Sequence, residues 1–483
     1  MNKEKSEVIK DLQNLLSEKK VLTDEASCRN ADTWNRGYEK AFEVYLTPPA
    51  LAIVMAENKE DLVKTLKYCN EHGVSVIPRT GGSGGEGLLE VVNDSTIVLD
   101  ASQMDKLISF DPENMMVTAE CGMPLERLEE EILNPKGYTT GHAPQSLPMA
   151  DLGGLVATRS IGQFSTYFGA IEDMLCGLKG LLPNGEEIEI RNVPRRAAGP
   201  DLRHLFMGSE GALGFITEVT LKLQPYYPDS RWLGGYIVHD IMTGFDAIRE
   251  IMREGYKPSV VRLYDKADYD YNYKSQELKD DEAFMFFVTD GPPEIAKATG
   301  EAIDRIAKEH GARWIGTKGV EHWMIHRNDL CEGYVHEKRS AKFRSQKAYY
   351  ATTEIAANWS EIKEIYNDVM ANVPGQFEDV LTVLGGHVSH SYINGTNIYF
   401  VYEYKVPQPE LADKLHRQII NAICEEVIKY PTGGVVHHHG MGKRRVNFAA
   451  REHGSSYQLM KGLKKMMDPN GIMNPGTLVE LEK

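Results

Sequence analysis

Residues 197–223, AAGPDLRHLFMGSEGALGFITEVTLKL, set Gly208, Gly211 and Gly214 at three-residue spacing between an apolar, helix-like run and a strand. Lacking Cβ atoms, these positions let a ligand or a second backbone come close. Beyond them Val219, Leu221 and Leu223 alternate with Thr220 and Lys222, the period of a half-buried strand. A Gly-rich helix-to-strand turn in any α/β domain would look the same, so the segment takes its meaning from its companions.

The first companion is Pro78-Arg79-Thr80-Gly81-Gly82-Ser83-Gly84-Gly85, directly after a short strand expected at 74–77. A loop so poor in side chains exposes consecutive backbone N–H groups, which is how a pyrophosphate is cradled. No GK[ST] follows, so it is not a P-loop, and it is not GxGxxG at a strand-to-helix turn. The second companion, residues 141–173, joins a Pro-kinked extended run to Gly153-Gly154. Such backbone suits threading past a flat aromatic ligand, or else a tight Gly-Gly strand crossing in the core.

Around these segments helices and strands alternate. A helix is expected at 59–70 with Gly73 as its stop, strands at 96–99 and 116–120, and a helix from Pro124 to Leu133. Pro183-Asn184-Gly185 marks a hairpin within 178–190. After Tyr226 and Tyr227 the texture turns to longer, more charged helices with two strand-like runs, near Val260 and Ile398. The expected divisions are an N-terminal helical segment at 1–45, a first domain at 46–227, a second at 228–430 folded over it, and a tail at 431–483 returning to the first.

At 483 residues there is chain for a large core. A net charge of −16 argues against nucleic-acid and anionic-membrane partners. The six cysteines are scattered with no CxxC pair, so no iron–sulfur module of that kind can be built and reduced thiols in a cytosol are expected. The first 20 residues place Val8, Ile9, Leu12, Leu15 and Leu16 on one helical face amid charges of both signs, the pattern of a docking helix rather than a signal peptide. No run reaches the roughly 20 apolar residues of a membrane span. A cytoplasmic protein is the expectation.

Taken together, PRTGGSGG, PQSLPMADLGGLVATRS, GAIEDML and AGPDLRHLFMGSEGALGFIT resemble the PCMH-type FAD-binding domain of the vanillyl-alcohol oxidase superfamily, and the likeness runs on to HHHG at 437–440 and DPNGIMNPG at 468–476. Within that superfamily the motifs are most similar to alkyldihydroxyacetonephosphate synthase. The resemblance implies an α+β fold, a two-subdomain FAD-binding domain under an α+β cap whose antiparallel sheet is covered by helices. It implies that Pro78, Arg79, Thr80, Gly81, Gly82, Ser83 and Gly84 hold the FAD pyrophosphate. Pro144, Gln145, Ser146, Leu147, Ala150, Asp151, Gly154, Ala157, Thr158, Arg159 and Ser160 would line the isoalloxazine and ribityl path, with Glu210, Gly211, Gly214 and Ile216 contacting the cofactor by backbone. Ser83 stands where relatives with tethered FAD carry a histidine, so noncovalent FAD is implied.

The same likeness assigns chemistry to Arg327, Tyr399, His437, His438 and His439, with Arg262 in a synthase-like context. Arg327 offers a bidentate fork for a carboxylate or phosphate, although the segment from it to Trp359 is longer than in the synthases. Tyr399 and a histidine can pass a proton to or from a substrate carbon or hydroxyl. In an extended segment His437 and His439 would share one face and His438 the other. Structural readings are a salt bridge for Arg327 and an ordinary strand aromatic for Tyr399. Relatives that bind a divalent metal use two histidines and a glutamate hereabouts, which would draw in His387 and His390. Tyr399 and His438 replace two of those ligands, so no metal is expected.

The function expected is FAD-dependent removal of a hydride from an oxygen-bearing carbon of a small, acidic substrate of the 2-hydroxy-acid or alcohol type. Tyr399 or His438 would be the base and Arg327 the anchor, with electrons passing to an electron-transfer flavoprotein, an iron–sulfur partner subunit or a small acceptor, and a homodimer is expected. The alternative is a synthase-like ether-forming enzyme working through a flavin N5 adduct without net redox change. That reading lacks a peroxisomal SKL-type ending, the last residues being Leu481-Glu482-Lys483. A third is a noncatalytic flavin subunit in an electron-transfer complex, which would need no proton-transfer groups.

Overall fold

Asn58 caps the helix Lys59–His72 by accepting the Asp61 N–H, and Gly73 ends it at φ 67°, a conformation that favours glycine. The chain then enters Val76–Arg79, the edge of a four-stranded sheet in the order Val21–Leu22, Ala52–Met55, Ile97–Asp100, Val76–Arg79, the last three parallel. Pro78 is tolerated there because an edge strand need not donate from every residue. This computed structural model describes residues 3–273, 277–331 and 348–481. The N-terminal helix Lys5–Leu15 buries Val8 and Leu12 in the core of this sheet.

A second sheet, fully antiparallel, has the order Leu107–Asp111, Met116–Glu120, Phe215–Lys222, Leu175–Leu181, Glu187–Ile190. Its last two strands are the hairpin read from Asn184-Gly185. Gly153 and Gly154 lie in the short helix Leu152–Ala157, so that stretch is neither extended nor a strand crossing. A Cβ at Gly153 would stand 2.7 Å from the Cys121 Cβ, which is why the helix can lie so close to its neighbour.

The cap holds more strands than the two runs expected: a seven-stranded antiparallel sheet ordered Arg313–Gly316, Trp232–Val238, Ala283–Thr289, Val260–Tyr264, Leu381–Val388, Gly395–Lys405, Ala348–Asn358. Ala283–Thr289 is buried throughout, so it lacks the alternation that marks a strand in sequence. Helices Ile241–Arg253, Pro293–Glu309, Ile362–Asn372 and Ala412–Val427 cover one face. Into that face Gly395–Lys405 sends Ile398, Phe400, Tyr402 and Tyr404, so alternation turns Tyr399 to the other. The tail pairs beside Val76, whose N–H reaches the Ile472 carbonyl at 2.8 Å and whose carbonyl accepts the Asn474 N–H at 2.8 Å. No helix among the described residues is long and apolar enough to cross a membrane.

Candidate active site

The Gly-rich segments meet around a cleft. Pro78, Arg79, Thr80, Gly81, Gly82, Ser83, Gly84, Asp151, Gly154, Ala157, Thr158, Glu210, Gly211, Gly214 and Ile216 all line it. Close backbone approach explains the glycines. A Cβ on Gly81 would lie 2.3 Å from the Met149 carbonyl oxygen, and one on Gly211, at φ 72°, 2.9 Å from the Pro78 ring. Seven of the twenty residues that line the cleft are glycines, and the buried Thr80 hydroxyl has no hydrogen-bond partner among the described residues. A diphosphate-bearing cofactor with a flat ring suits such a wall.

Gly153 and Phe215, from the two Gly-rich segments, also line the cleft, as do Leu88, Leu89 and Asn474, to which the sequence assigns no role. Asn474 lies in the DPNGIMNPG motif, which was noticed without a role, and its amide donates to the carbonyls of Glu210 at 2.7 Å and Leu88 at 3.2 Å. Pro144, Gln145, Ser146, Leu147, Ala150, Arg159 and Ser160 stand outside the cleft wall. Arg159 pairs with Glu172 at 3.1 Å, and the Ser160 hydroxyl lies 3.2 Å from His142 Nε2. Their segment leads toward the cap, where the Ser165 hydroxyl meets His390 Nδ1 at 2.8 Å.

On the open face of the cap sheet, strand register aligns one residue from each of four strands. Glu354 pairs with Tyr399, Tyr399 with His387, and His387 with Tyr264. His387 stacks on Tyr399 with centroids 4.7 Å apart, and its Nδ1 lies 2.5 Å from Asp268. Above this row the tail brings in the histidine triplet. His438 Nε2 lies 2.5 Å from the Tyr399 hydroxyl and His439 Nε2 lies 3.4 Å from it.

The expected alternation of the triplet therefore fails. His438 and His439 converge on Tyr399, while His437 bonds Tyr392 through Nε2 at 2.8 Å and His438 through Nδ1 at 2.9 Å. The cause is Glu354, one of whose oxygens accepts the backbone N–H groups of both His438 and His439, at 3.2 and 2.8 Å. The backbone curls around that carboxylate instead of running extended. Sequence reading had no access to Glu354, a lone acid in an apolar strand. Glu210 anchors the other end of this loop, its carboxylate accepting the N–H groups of Met441 at 2.7 Å and Gly442 at 3.1 Å.

Arg262 is 6% exposed, on the strand face shared with Tyr264, with its guanidinium 5.1 Å from the Trp323 ring centroid. Its Nε has no hydrogen-bond partner among the described residues, and its charge acts on Tyr399 and His390. Arg327 caps the helix Lys318–His326, bonds the Met324 carbonyl and stacks over Phe164 at 5.6 Å. It makes no hydrogen bond to Tyr399 or the histidines among the described residues, and part of the long segment after it, 332–347, lies outside those residues.

Burial pushes the Tyr399 phenol up, with Glu354 adding to the effect. Burial likewise lowers His437 to about 4 and His438 well below the ordinary imidazole range, so both are neutral. In His439 burial opposes the charge, but Glu354 and Glu86 outweigh it and raise the imidazole. His390, His437 and His438 each bring a ring nitrogen within 4.8 Å of the others, close enough for a shared cation. A cation there would have to break bonds at His437 and His438, both of whose ring nitrogens are engaged, whereas His390 could bind through Nε2 and keep its contact with Ser165.

Comparison with known proteins agrees with this construction. Residues 50–191 match the FAD binding domain model, and residues 228–478 match that of the FAD linked oxidases, C-terminal domain. The chain is similar to an uncharacterised FAD-linked oxidoreductase, YgcU, of Escherichia coli O157:H7, at 44% identity over 100% of both chains. It is 23% identical to a D-2-hydroxyglutarate dehydrogenase of Stutzerimonas stutzeri (strain A1501), over 98% of both. A solved structure of alkyldihydroxyacetonephosphate synthase superposes with a TM-score of 0.76 at 21% identity, covering 98% of this chain and 86% of that one. From the glycine-walled cleft to the antiparallel cap, this chain belongs to the FAD-linked oxidases of the vanillyl-alcohol oxidase superfamily, and it is an FAD-dependent oxidoreductase.

Proposed function

We propose that the protein oxidises a small 2-hydroxy acid at the carbon bearing the hydroxyl, with Tyr399 taking the hydroxyl proton. Bound FAD, held by the walls from Pro78 to Gly84 and from Glu210 to Ile216, supplies the two-electron acceptor. The observation that carries the reading is the Tyr399 hydroxyl set 2.5 Å from a neutral His438 and 3.4 Å from His439. A raised phenol is a poor acid by itself, and a short hydrogen bond to an imidazole gives its proton somewhere to go. The likeness to a 2-hydroxyglutarate dehydrogenase supports the substrate class.

Arg262 is the anchor for the carboxylate nearest the reacting carbon, because its guanidinium is buried beside the site with an unsatisfied donor. Arg327, stacked on the ring that precedes Ser165, is a second cation for a longer acidic substrate. Electrons then leave to a small acceptor or a partner flavoprotein. Anaerobic mixing of the holoprotein with a panel of D- and L-2-hydroxy acids tests this reading. Bleaching of the flavin by at least one member is expected. An oxidised flavin with every member contradicts the reading, and ether formation with the flavin still oxidised at the end supports the synthase reading instead.

A further inference from the structure

Oxidising an alcohol releases one proton per turnover, and the Tyr399 phenol that receives it is buried. Beyond His438 the donors and acceptors continue. His438 Nδ1 lies 2.9 Å from His437 Nδ1, and His437 Nε2 lies 2.8 Å from the hydroxyl of Tyr392. Tyr392 is 38% exposed, in the loop joining two cap strands, next to Ile393 at 72%. The geometry points to a proton exit path from Tyr399 through His438 and His437 to Tyr392 and solvent. This inference rests on the reading of Tyr399 as the proton acceptor.

In the arrangement of hydrogens that carries a proton outward, every contact is satisfied. The Tyr399 O–H donates to His438 Nε2, His438 Nδ1–H donates to His437 Nδ1, and His437 Nε2–H donates to Tyr392. When the substrate hydroxyl gives its proton to Tyr399, the phenol proton passes to His438 Nε2. The Nδ1 proton of His438 moves to His437, the Nε2 proton of His437 moves to Tyr392, and the Tyr392 O–H proton goes to water. One proton enters and one leaves, no heavy-atom bond changes along the path, and the substrate's electron pair takes no part in it. Each ring ends protonated on its other nitrogen and returns by tautomer exchange before the next cycle. Such a chain requires two neutral imidazoles, the state burial imposes on both.

The polarity of the path comes from His439, the other ring at Tyr399. Its Nδ1 lies 2.8 Å from Glu354, which is fully buried, so that nitrogen carries a proton. Glu354 and Glu86 face it with two carboxylates; Arg445 lies within 3.0 Å of each, and Arg444, which also acts on Glu86, is paired with Glu90 and Asp413. An imidazolium completes that balance, and its Nε2–H points toward Tyr399 as a donor. His439 therefore cannot accept the phenol proton, which leaves His438. The path also accounts for His437, which reaches neither Tyr399 nor the cofactor cleft.

Tyr392→Phe removes the outer hydroxyl at an exposed position. Stopped-flow reduction of the holoprotein by a 2-hydroxy acid, in weak buffer with an indicator dye, reads proton release beside flavin bleaching. In the parent protein the two traces coincide. In Tyr392→Phe, release lags bleaching by about tenfold and concentrated small buffers restore it, as expected when one link of a proton-transfer chain is cut. Coincident traces in the variant overturn the path. Nitrogen-15 spectra of histidine-labelled resting protein give a second reading that needs no turnover. His437 should be neutral with its proton on Nε2, and His439, identified by its loss in His439→Gln, doubly protonated. A His437 protonated on Nδ1 or charged near neutral pH also overturns the path. If no 2-hydroxy acid reduces the flavin, the substrate proposal fails and the spectra still decide the path.

Discussion

The glycine-walled cleft and the cap's row of register-aligned side chains are built on opposite principles. The cleft is shaped by backbone: glycines at 81, 153 and 211 bring chain segments within van der Waals contact, leaving no room there for a Cβ. The row is made of side chains held by register, with Glu354, Tyr399, His387 and Tyr264 drawn from four strands and the histidines lowered onto them from the tail. A backbone site tolerates no added bulk and is indifferent to most side-chain chemistry. A register site tolerates volume changes better and loses function with single atoms.

That contrast also decides what the sequence reveals. Each wall of the cleft is a continuous motif, so Pro78 to Gly84 and Glu210 to Ile216 can be read directly, and the hairpin at Asn184-Gly185 with them. Tyr399 and the triplet stand out in the sequence because they too sit in local motifs. Glu354 and Tyr392 were invisible, since each acquires its role from partners 84 and 45 positions away. The same non-locality misled the reading of His437 to His439 as an alternating strand, because a distant carboxylate bends that segment. Ala283–Thr289 escaped a sequence reading for a simpler reason: buried on both faces, it has no period to detect.

The sharpest way to break the comparison is inside the glycine loop itself. Gly81→Ala places a Cβ 2.3 Å from the Met149 carbonyl and 2.8 Å from the Asp151 N–H nitrogen, both backbone, whereas nothing lies within 4 Å of a Cβ on Gly85. Gly81→Ala should purify almost free of FAD or fail to fold, and Gly85→Ala should keep its full flavin absorbance. Equal retention by both would refute the close-approach account.

A smaller effect is expected from the row. Arg262→Leu removes a charged donor and should raise KM for a 2-hydroxy acid by roughly tenfold to a hundredfold, the value of about 1.5–3 kcal/mol for a hydrogen bond to a charged group. Its FAD content should not change. An unaltered KM would assign the carboxylate to Arg327.

The smallest effect is on stability. Burial holds His390, His437 and His438 neutral, so the folded state binds fewer protons than the unfolded chain, and stability is lost as pH falls from about 6.5 toward about 4. His439, raised by Glu354, acts in the opposite sense: its contribution is present below 6.5 and is lost as pH rises through its raised value. His437→Gln should therefore flatten the acid side of a Tm-against-pH curve and His439→Gln the alkaline side, each by on the order of 2–4 °C. Identical curves for the two variants would argue against their opposite charge states.

The central claim is that Tyr399 accepts the substrate proton as the flavin is reduced. Its most direct test is the anaerobic single-turnover rate of flavin bleaching in Tyr399→Phe, measured with the best 2-hydroxy acid of the panel and with FAD content matched to the parent. Loss of the phenol should slow bleaching by about 10²–10⁴-fold, the usual worth of a positioned acid–base group, while substrate binding stays within a few-fold. Bleaching at the parental rate would contradict the account.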